Sequence, residues 1–263
     1  MSKLIIHFSH ANGFPAPTYR KFLRYLEPNF DIGYVDQLAH NPKYPVTDNW
    51  HELVEELIAE IKQRYDKPII GVGHSLGGAL SYMAALKSPE LFKAVVLLDT
   101  PMLGPVRSKL VALAKYLGLI NYFTPAARTK NRRVTMPDAQ TAYDYFKSKP
   151  LFQHFDPDCL RDYVDQGMEK TPEGLKLKFS PQIEYQIFRT LPHHFPADGR
   201  VLQIPGALIY GENSDVMLKS ELSFVRRRYH MFTQATKGSH LFPFEYPELS
   251  AIVLTNVIQR LLS

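Results

Sequence analysis

Short runs of β-branched and aliphatic residues recur along this chain, and most are followed by stretches whose apolar side chains return every third or fourth position. Residues 3–9 form the first run and stop abruptly at His10-Ala11-Asn12-Gly13, which predicts a buried strand ending in a tight loop. Pro15 and Pro17 open a helix to about residue 26, with Phe22, Leu23 and Leu26 on one side. A second short strand is expected over 30–35, then a loop rich in Pro and His over 37–47. Over 48–65, Trp50, Leu53, Val54, Leu57, Ile58 and Ile61 make one helical stripe. Residues 93–99 are almost wholly apolar, the pattern of a strand covered on both faces of a parallel sheet. After residue 200 the rhythm resumes: a strand over 206–211, a helix to about 224, a strand over 229–232 and an amphipathic helix over 247–262. This alternation predicts an α/β fold, a mostly parallel sheet with helices on both faces.

Between 101 and 200 the rhythm breaks. That segment is helical in pattern and rich in aromatics, among them Tyr116, Tyr122, Phe123, Phe146, Phe152, Phe155 and Tyr163, and it shows no sheet of its own. A chain of 263 residues suits one domain carrying an insertion. The expected division is a core of 1–100 and 201–263, with a helical insertion over 101–200.

One stretch concentrates the chemistry. Ile69-Ile70-Gly71-Val72 leads into Gly73-His74-Ser75-Leu76-Gly77, and a helix-forming run begins at Ala79. Gly-x-Ser-x-Gly between a strand and a helix is the pattern of a nucleophile elbow. A strand that turns sharply into a helix strains the apex, so the flanking positions must lack Cβ atoms. The serine hydroxyl then stands above the positive end of the following helix.

On these residues the chain resembles the α/β-hydrolases, and the resemblance spans nearly its whole length. It implies an α/β-hydrolase fold in which the insertion after residue 99 is a helical cap, and a chain order of serine, acid and histidine. The base is then His240, in the loop Lys237-Gly238-Ser239-His240 after the last expected strand; His230 sits inside the strand pattern. The acid is Asp215, since Gly211-Glu212-Asn213-Ser214-Asp215 resembles the family's Gly-x-x-x-Asp turn. Asp99 is the alternative acid, because it too ends a strand. The oxyanion donors are the amides of Leu76 and Asn12, the latter in a turn resembling the family's His-Gly-x-Pro loop. Here Ala11 replaces the usual glycine and an extra residue precedes Pro15, which keeps Ala11 open as donor. His10 is expected to brace that loop. The implied activity is hydrolysis of carboxylic esters without cofactor or metal. A thioesterase, a lactonase, a carbon–carbon bond hydrolase and a catalytically silent scaffold remain open. A serine nucleophile argues against the dehalogenase and epoxide hydrolase branches.

Composition narrows this further. The formal charge of +5 comes from 31 basic against 26 acidic residues, ordinary surface chemistry, and no nucleic-acid module is recognisable. Cys159 is the only cysteine, expected as core filling, so no disulfide can close within the chain and a reducing, cytoplasmic setting is the expectation. The opening residues read as strand rather than signal sequence, and no segment is expected to insert into a membrane. His193-His194 lacks metal-binding spacing, Lys130-Asn131-Arg132-Arg133 reads as solvated loop or a clamp for an anionic leaving group, and Arg226-Arg227-Arg228 complements a helix end. The expected partner is a small ester with an apolar acyl or aromatic group.

Overall fold

The computed structural model describes residues 3–130, 132–193 and 201–263. Strand β1 (Leu4–Ser9) leads through helix α1 (Arg20–Leu26) to β2 (Phe30–Tyr34), and α2 (His51–Arg64) leads to β3 (Ile69–His74). Helix α3 (Leu76–Lys87) precedes β4 (Phe92–Leu98). The insertion follows, with helices α4 (Pro105–Tyr116), α5 (Ile120–Phe123) and α6 (Ala126–Lys130), strand β5 (Thr135–Met136), and helices α7 (Ala139–Lys147) and α8 (Pro157–Gly167). Strands β6 (Met168–Thr171) and β7 (Gly174–Leu177) and helix α9 (Pro181–Arg189) complete it. The chain then returns through β8 (Gly206–Gly211), α10 (Lys219–Tyr229), β9 (Phe232–Thr236), α11 (Phe242–Glu245) and α12 (Pro247–Leu262).

The main sheet runs β2-β1-β3-β4-β8-β9, and every pairing in it is parallel. Its central strands are buried on both sides, which explains their unbroken apolar runs. Ile70, Val72, Ala94 and Val96 share one core with Phe22 and Leu26 of α1 and Leu254 and Ile258 of α12. Ile69, Val95 and Leu97 share the other with Leu53, Leu57 and Ile61 of α2 and Leu80 of α3. The strand order reverses between β1 and β3, so the loops leaving those two strands diverge and open a crevice at their carboxyl ends.

Three expectations change. The insertion does carry a sheet, the antiparallel set β5-β7-β6. Strands β5 and β6 are too short and too rich in Lys, Glu and Thr to leave an alternating apolar signature, and β7 leaves only the brief one of Leu175-Lys176-Leu177. Helix α10 runs on to Tyr229, because Leu222, Val225 and Tyr229 form a buried stripe; Arg226 to Arg228 lie within its last turn rather than beyond it. The last strand accordingly starts at Phe232, and His230 is a left-handed cap (φ 52°) instead of a strand residue. Cys159 is buried in the core that the insertion shares with the sheet, where burial raises its thiol pKa.

Three imidazoles are locked inside this fold in neutral form. Burial lowers His7 to about 3 and His10 to about 4, and it holds His74 well below the usual range. Each takes up a proton on unfolding once the pH falls under the ordinary 6.5, so the stability they allow is complete above that value and lost toward pH 4. Burial raises Glu56 to about 7 and also raises Glu184; these release protons on unfolding and offset part of the uptake. A net uptake on the order of one to two protons between pH 6 and 5 is therefore expected. Urea-unfolding curves at pH 7 and 5 should show a fall of about 1–3 kcal/mol. Equal or greater stability at pH 5 would contradict this account.

Candidate active site

Ser75 stands between β3 and α3 with φ 52° and ψ −111°, a conformation a non-glycine residue holds only when its surroundings enforce it. The enforcement is visible on both sides. A Cβ on Gly73 would lie 2.2 Å from the carbonyl carbon of Gly77, and a Cβ on Gly77 would lie 2.0 Å from the carbonyl oxygen of Ser9. The elbow is thus pressed against the end of β1, where Gly77 N–H donates to the His10 carbonyl at 3.1 Å. Ser75 N–H donates to the Leu98 carbonyl at 2.9 Å, tying the apex to β4. Ser75 is half-buried, and among the described residues nothing hydrogen-bonds its Oγ.

His240 is half-buried in the loop after β9, and its Nδ1 lies 2.8 Å from Oδ2 of Asp99. The contact falls to Asp99 and not to Asp215, the acid expected from the turn that follows β8. Asp99 is fully buried at the end of β4, in a left-handed conformation (φ 41°) that turns the chain into the insertion. Its Oδ1 accepts from Gly211 N–H at 2.9 Å and its Oδ2 from the Ser214 hydroxyl at 2.5 Å. Asp215 is exposed, and among the described residues no hydrogen bond joins it to His240. The physical reason is the tight turn closed by Ser214 N–H on the Gly211 carbonyl, which brings Ser214 rather than its neighbour to the sheet edge.

The His240 loop is pinned from two directions. Ser239 donates through its amide (2.7 Å) and hydroxyl (2.5 Å) to Glu245. The His240 carbonyl lies 2.8 Å from Nε2 of His74, whose Nδ1 is 2.7 Å from the Tyr19 hydroxyl. A neutral His74 protonated on Nε2 satisfies both contacts: it donates to His240 and accepts from Tyr19. Burial, followed by the neighbouring His240, lowers the His74 pKa and favours that neutral form. The rings of His74 and His240 lie 5.0 Å apart, so the residue before the nucleophile seats the imidazole loop. His74 and Tyr19 carry this arrangement without any motif that marks them; only the variable position inside Gly-x-Ser-x-Gly hinted at His74.

The amides of Leu76 and Asn12 make no hydrogen bond within the protein among the described residues. Leu76 opens α3, and Asn12 sits in the loop after β1, next to the crevice. Ala11, the other oxyanion candidate, is already engaged, because its N–H donates to Tyr19 at 3.2 Å. His10 braces this loop: its ring nitrogens bond the Ala11 carbonyl at 2.9 Å and the Leu38 amide at 2.8 Å. Asn12 Nδ2 donates to the Glu184 carbonyl at 3.0 Å, and the Glu184 carboxylate packs against Gly13, which has a φ of +81°. Arg132 donates to that carboxylate at 2.6 Å and to the Tyr163 hydroxyl at 2.9 Å. The basic run therefore contributes a buried brace between insertion and loop; its Asn131 lies outside the described residues. His193 lies 3.0 Å from Lys115, and His194 lies outside the described residues.

The aromatics of the insertion fall into two groups. Phe146, Phe152, Phe155 and Tyr163 pack with Phe14 of the loop after β1 and Phe244 of α11. Tyr116, Tyr122 and Phe123 face solvent.

A strained serine at a strand-order reversal and a histidine paired with a buried aspartate mark a recognisable class. Residues 8–251 match the model of the alpha/beta hydrolase family, and the chain belongs to that family. Over 115 residues it is 28% identical to the Abhydrolase domain-containing protein ACTT2 of Alternaria alternata, covering 44% of this chain and 39% of that protein. The chain thus matches well under half the length of this curated relative. Among solved structures it resembles E-2-(acetamidomethylene)succinate hydrolase with a TM-score of 0.78 at 22% identity, covering 98% of this chain and 91% of the other. It also resembles a marine microorganism esterase (TM-score 0.71, 15% identity, 98% and 96% covered) and the thioesterase domain of the curacin biosynthetic pathway (0.70, 15%, 97% and 91%). At these identities the likeness is one of fold. Among the described residues no helix is long and apolar enough to cross a membrane.

Proposed function

We propose that this chain is a serine hydrolase that cleaves carboxylic esters through an acyl-enzyme, with Ser75 as nucleophile, His240 as base and Asp99 as acid. The observation that carries the reading is the 2.8 Å contact between His240 Nδ1 and the buried Asp99 carboxylate, at a strained serine elbow. With its Nδ1–H donated to Asp99, His240 presents a lone pair on Nε2. That nitrogen takes the Ser75 proton as Oγ attacks the ester carbonyl, and Asp99 stabilises the resulting imidazolium. Amides of Leu76 and Asn12 donate to the oxyanion of the tetrahedral intermediate, a role left open by their having no partner among the described residues. Collapse expels the alkoxide, which leaves as alcohol with the proton from His240. Water, deprotonated by His240, then repeats the sequence at the acyl carbon, releasing the carboxylic acid and restoring Ser75.

The substrate we propose is a small ester with an apolar acyl or aromatic group. Leu76, Leu241 and Phe14, the residues adjoining the nucleophile, the base and the oxyanion loop, are apolar, and the half-buried Arg132 is already paired with Glu184. Medium-chain p-nitrophenyl esters assayed beside the matching acyl-CoA test this reading. The ester should turn over with the larger kcat/KM; faster acyl-CoA cleavage would make the chain a thioesterase.

A further inference from the structure

Helix α4 wears its apolar residues on the outside. Its protein-facing side holds Arg107, which donates to Glu221 at 2.6 Å, and Lys115, which pairs with Asp48 and donates to the Leu191 carbonyl at 3.1 Å; only Ala114 is buried. On the opposite side, at spacings of three and four, stand Val106, Leu110, Leu113 and Leu117, each more than half exposed. The strip continues into α5 with Tyr122 and Phe123, exposed by 84% and 70%. A surface helix ordinarily shows the reverse pattern, and an apolar strip of this extent marks a surface that meets something else.

The charge around it selects the occupant. Between Asp99 and Asp138 the sequence has no acidic residue, and once Arg107, Lys115 and Arg132 are set aside as paired with Glu221, Asp48 and Glu184, Lys109 and Lys130 are among the basic residues that remain. Lys109 lies on the apolar side itself, between Val106 and Leu113, and Lys130 ends α6. Among the described residues no carboxylate pairs with either lysine. A second copy docked through a two-fold axis would set these cations against themselves.

We propose that this face of the insertion binds an anionic lipid surface. Val106, Leu110, Leu113, Leu117, Tyr122 and Phe123 enter the interface, and Lys109 and Lys130 meet the headgroup phosphates. A helix with apolar side chains on one side and cations among them lies in the plane of a membrane rather than across it. The binding is independent of hydrolysis, so its measurement stands whether or not esters are substrates.

Flotation of the full chain with vesicles tests it. Vesicles of phosphatidylcholine with about 30 mol % phosphatidylglycerol should carry the protein at least ~10-fold better than phosphatidylcholine alone. Raising the salt from about 0.05 to 0.5 M should cut that binding by roughly 10-fold. The variant Leu110→Glu/Leu113→Glu should bind ~100-fold more weakly while keeping its melting temperature, because both side chains already face water. Equal binding to both vesicle types, no binding, or unchanged binding by the variant would overturn the proposal. So would a dimer in sedimentation equilibrium that the same variant abolishes, which would assign the face to a second copy.

Discussion

Asp99→Asn lowers kcat toward a short p-nitrophenyl ester by about 10³–10⁴-fold, whereas Asp215→Asn leaves it within a factor of about two. The amide keeps the size of the carboxylate, and its oxygen at the Oδ1 position can still accept from Gly211 N–H, while the Ser214 hydroxyl has to turn from donor to acceptor. What it loses is the acceptor facing His240 Nδ1. An NH₂ placed there opposes the Nδ1–H, drives the imidazole to its other tautomer and leaves no lone pair on Nε2 for the serine proton. Asp215, exposed on the loop beyond β8, offers no such contact. Steady-state kinetics on both variants, with melting temperatures as a folding control, separate the two carboxylates. Loss of activity in Asp215→Asn with retention in Asp99→Asn would move the acid.

Ser75→Ala has the larger effect, with ester turnover falling by about 10⁵-fold or more toward the uncatalysed rate. The hydroxyl makes no hydrogen bond among the described residues, so removing it disturbs no contact. The backbone stays at φ 52° with either side chain, and the strain at the elbow is unchanged. The melting temperature of Ser75→Ala should therefore stay within a few degrees of the parent while activity disappears. Burst kinetics provide the check: the parent should release p-nitrophenol in a stoichiometric burst and the variant none. A variant with residual turnover near the parent's would remove Ser75 from the chemistry.

The elbow and the alternating core were legible because their signals are local. Glycine at 73 and 77 answers a clash within one turn of chain, and the apolar runs of β1, β3, β4 and β8 each announce a buried strand without reference to the others. His240 is singled out by chain order, and the structure pairs it with a carboxylate. The rank of the two acids was not legible, because it depends on a contact between distant segments. The end of β4 meets the 211–214 turn only once β8 pairs beside β4, and it is that pairing which buries Asp99 under Gly211 and Ser214. The likeness of 211–215 to an acid turn is real at the level of letters, but the turn delivers Ser214. His74, Tyr19 and Glu245 were hidden for the same reason: each supports the site through a contact with a residue of another segment or a later turn. In the insertion, β5 and β6 have two and four residues and no apolar alternation, while β7 alternates over Leu175-Lys176-Leu177 in a strand only four residues long.

If the His240–Asp99 pair activates the Ser75 hydroxyl, a fluorophosphonate probe followed by intact-mass detection reads that activation out. The parent should then carry one adduct per chain, mapping to the peptide that contains Ser75, and Ser75→Ala and His240→Ala none. An unlabelled parent, or an adduct that persists in Ser75→Ala, would contradict that activation.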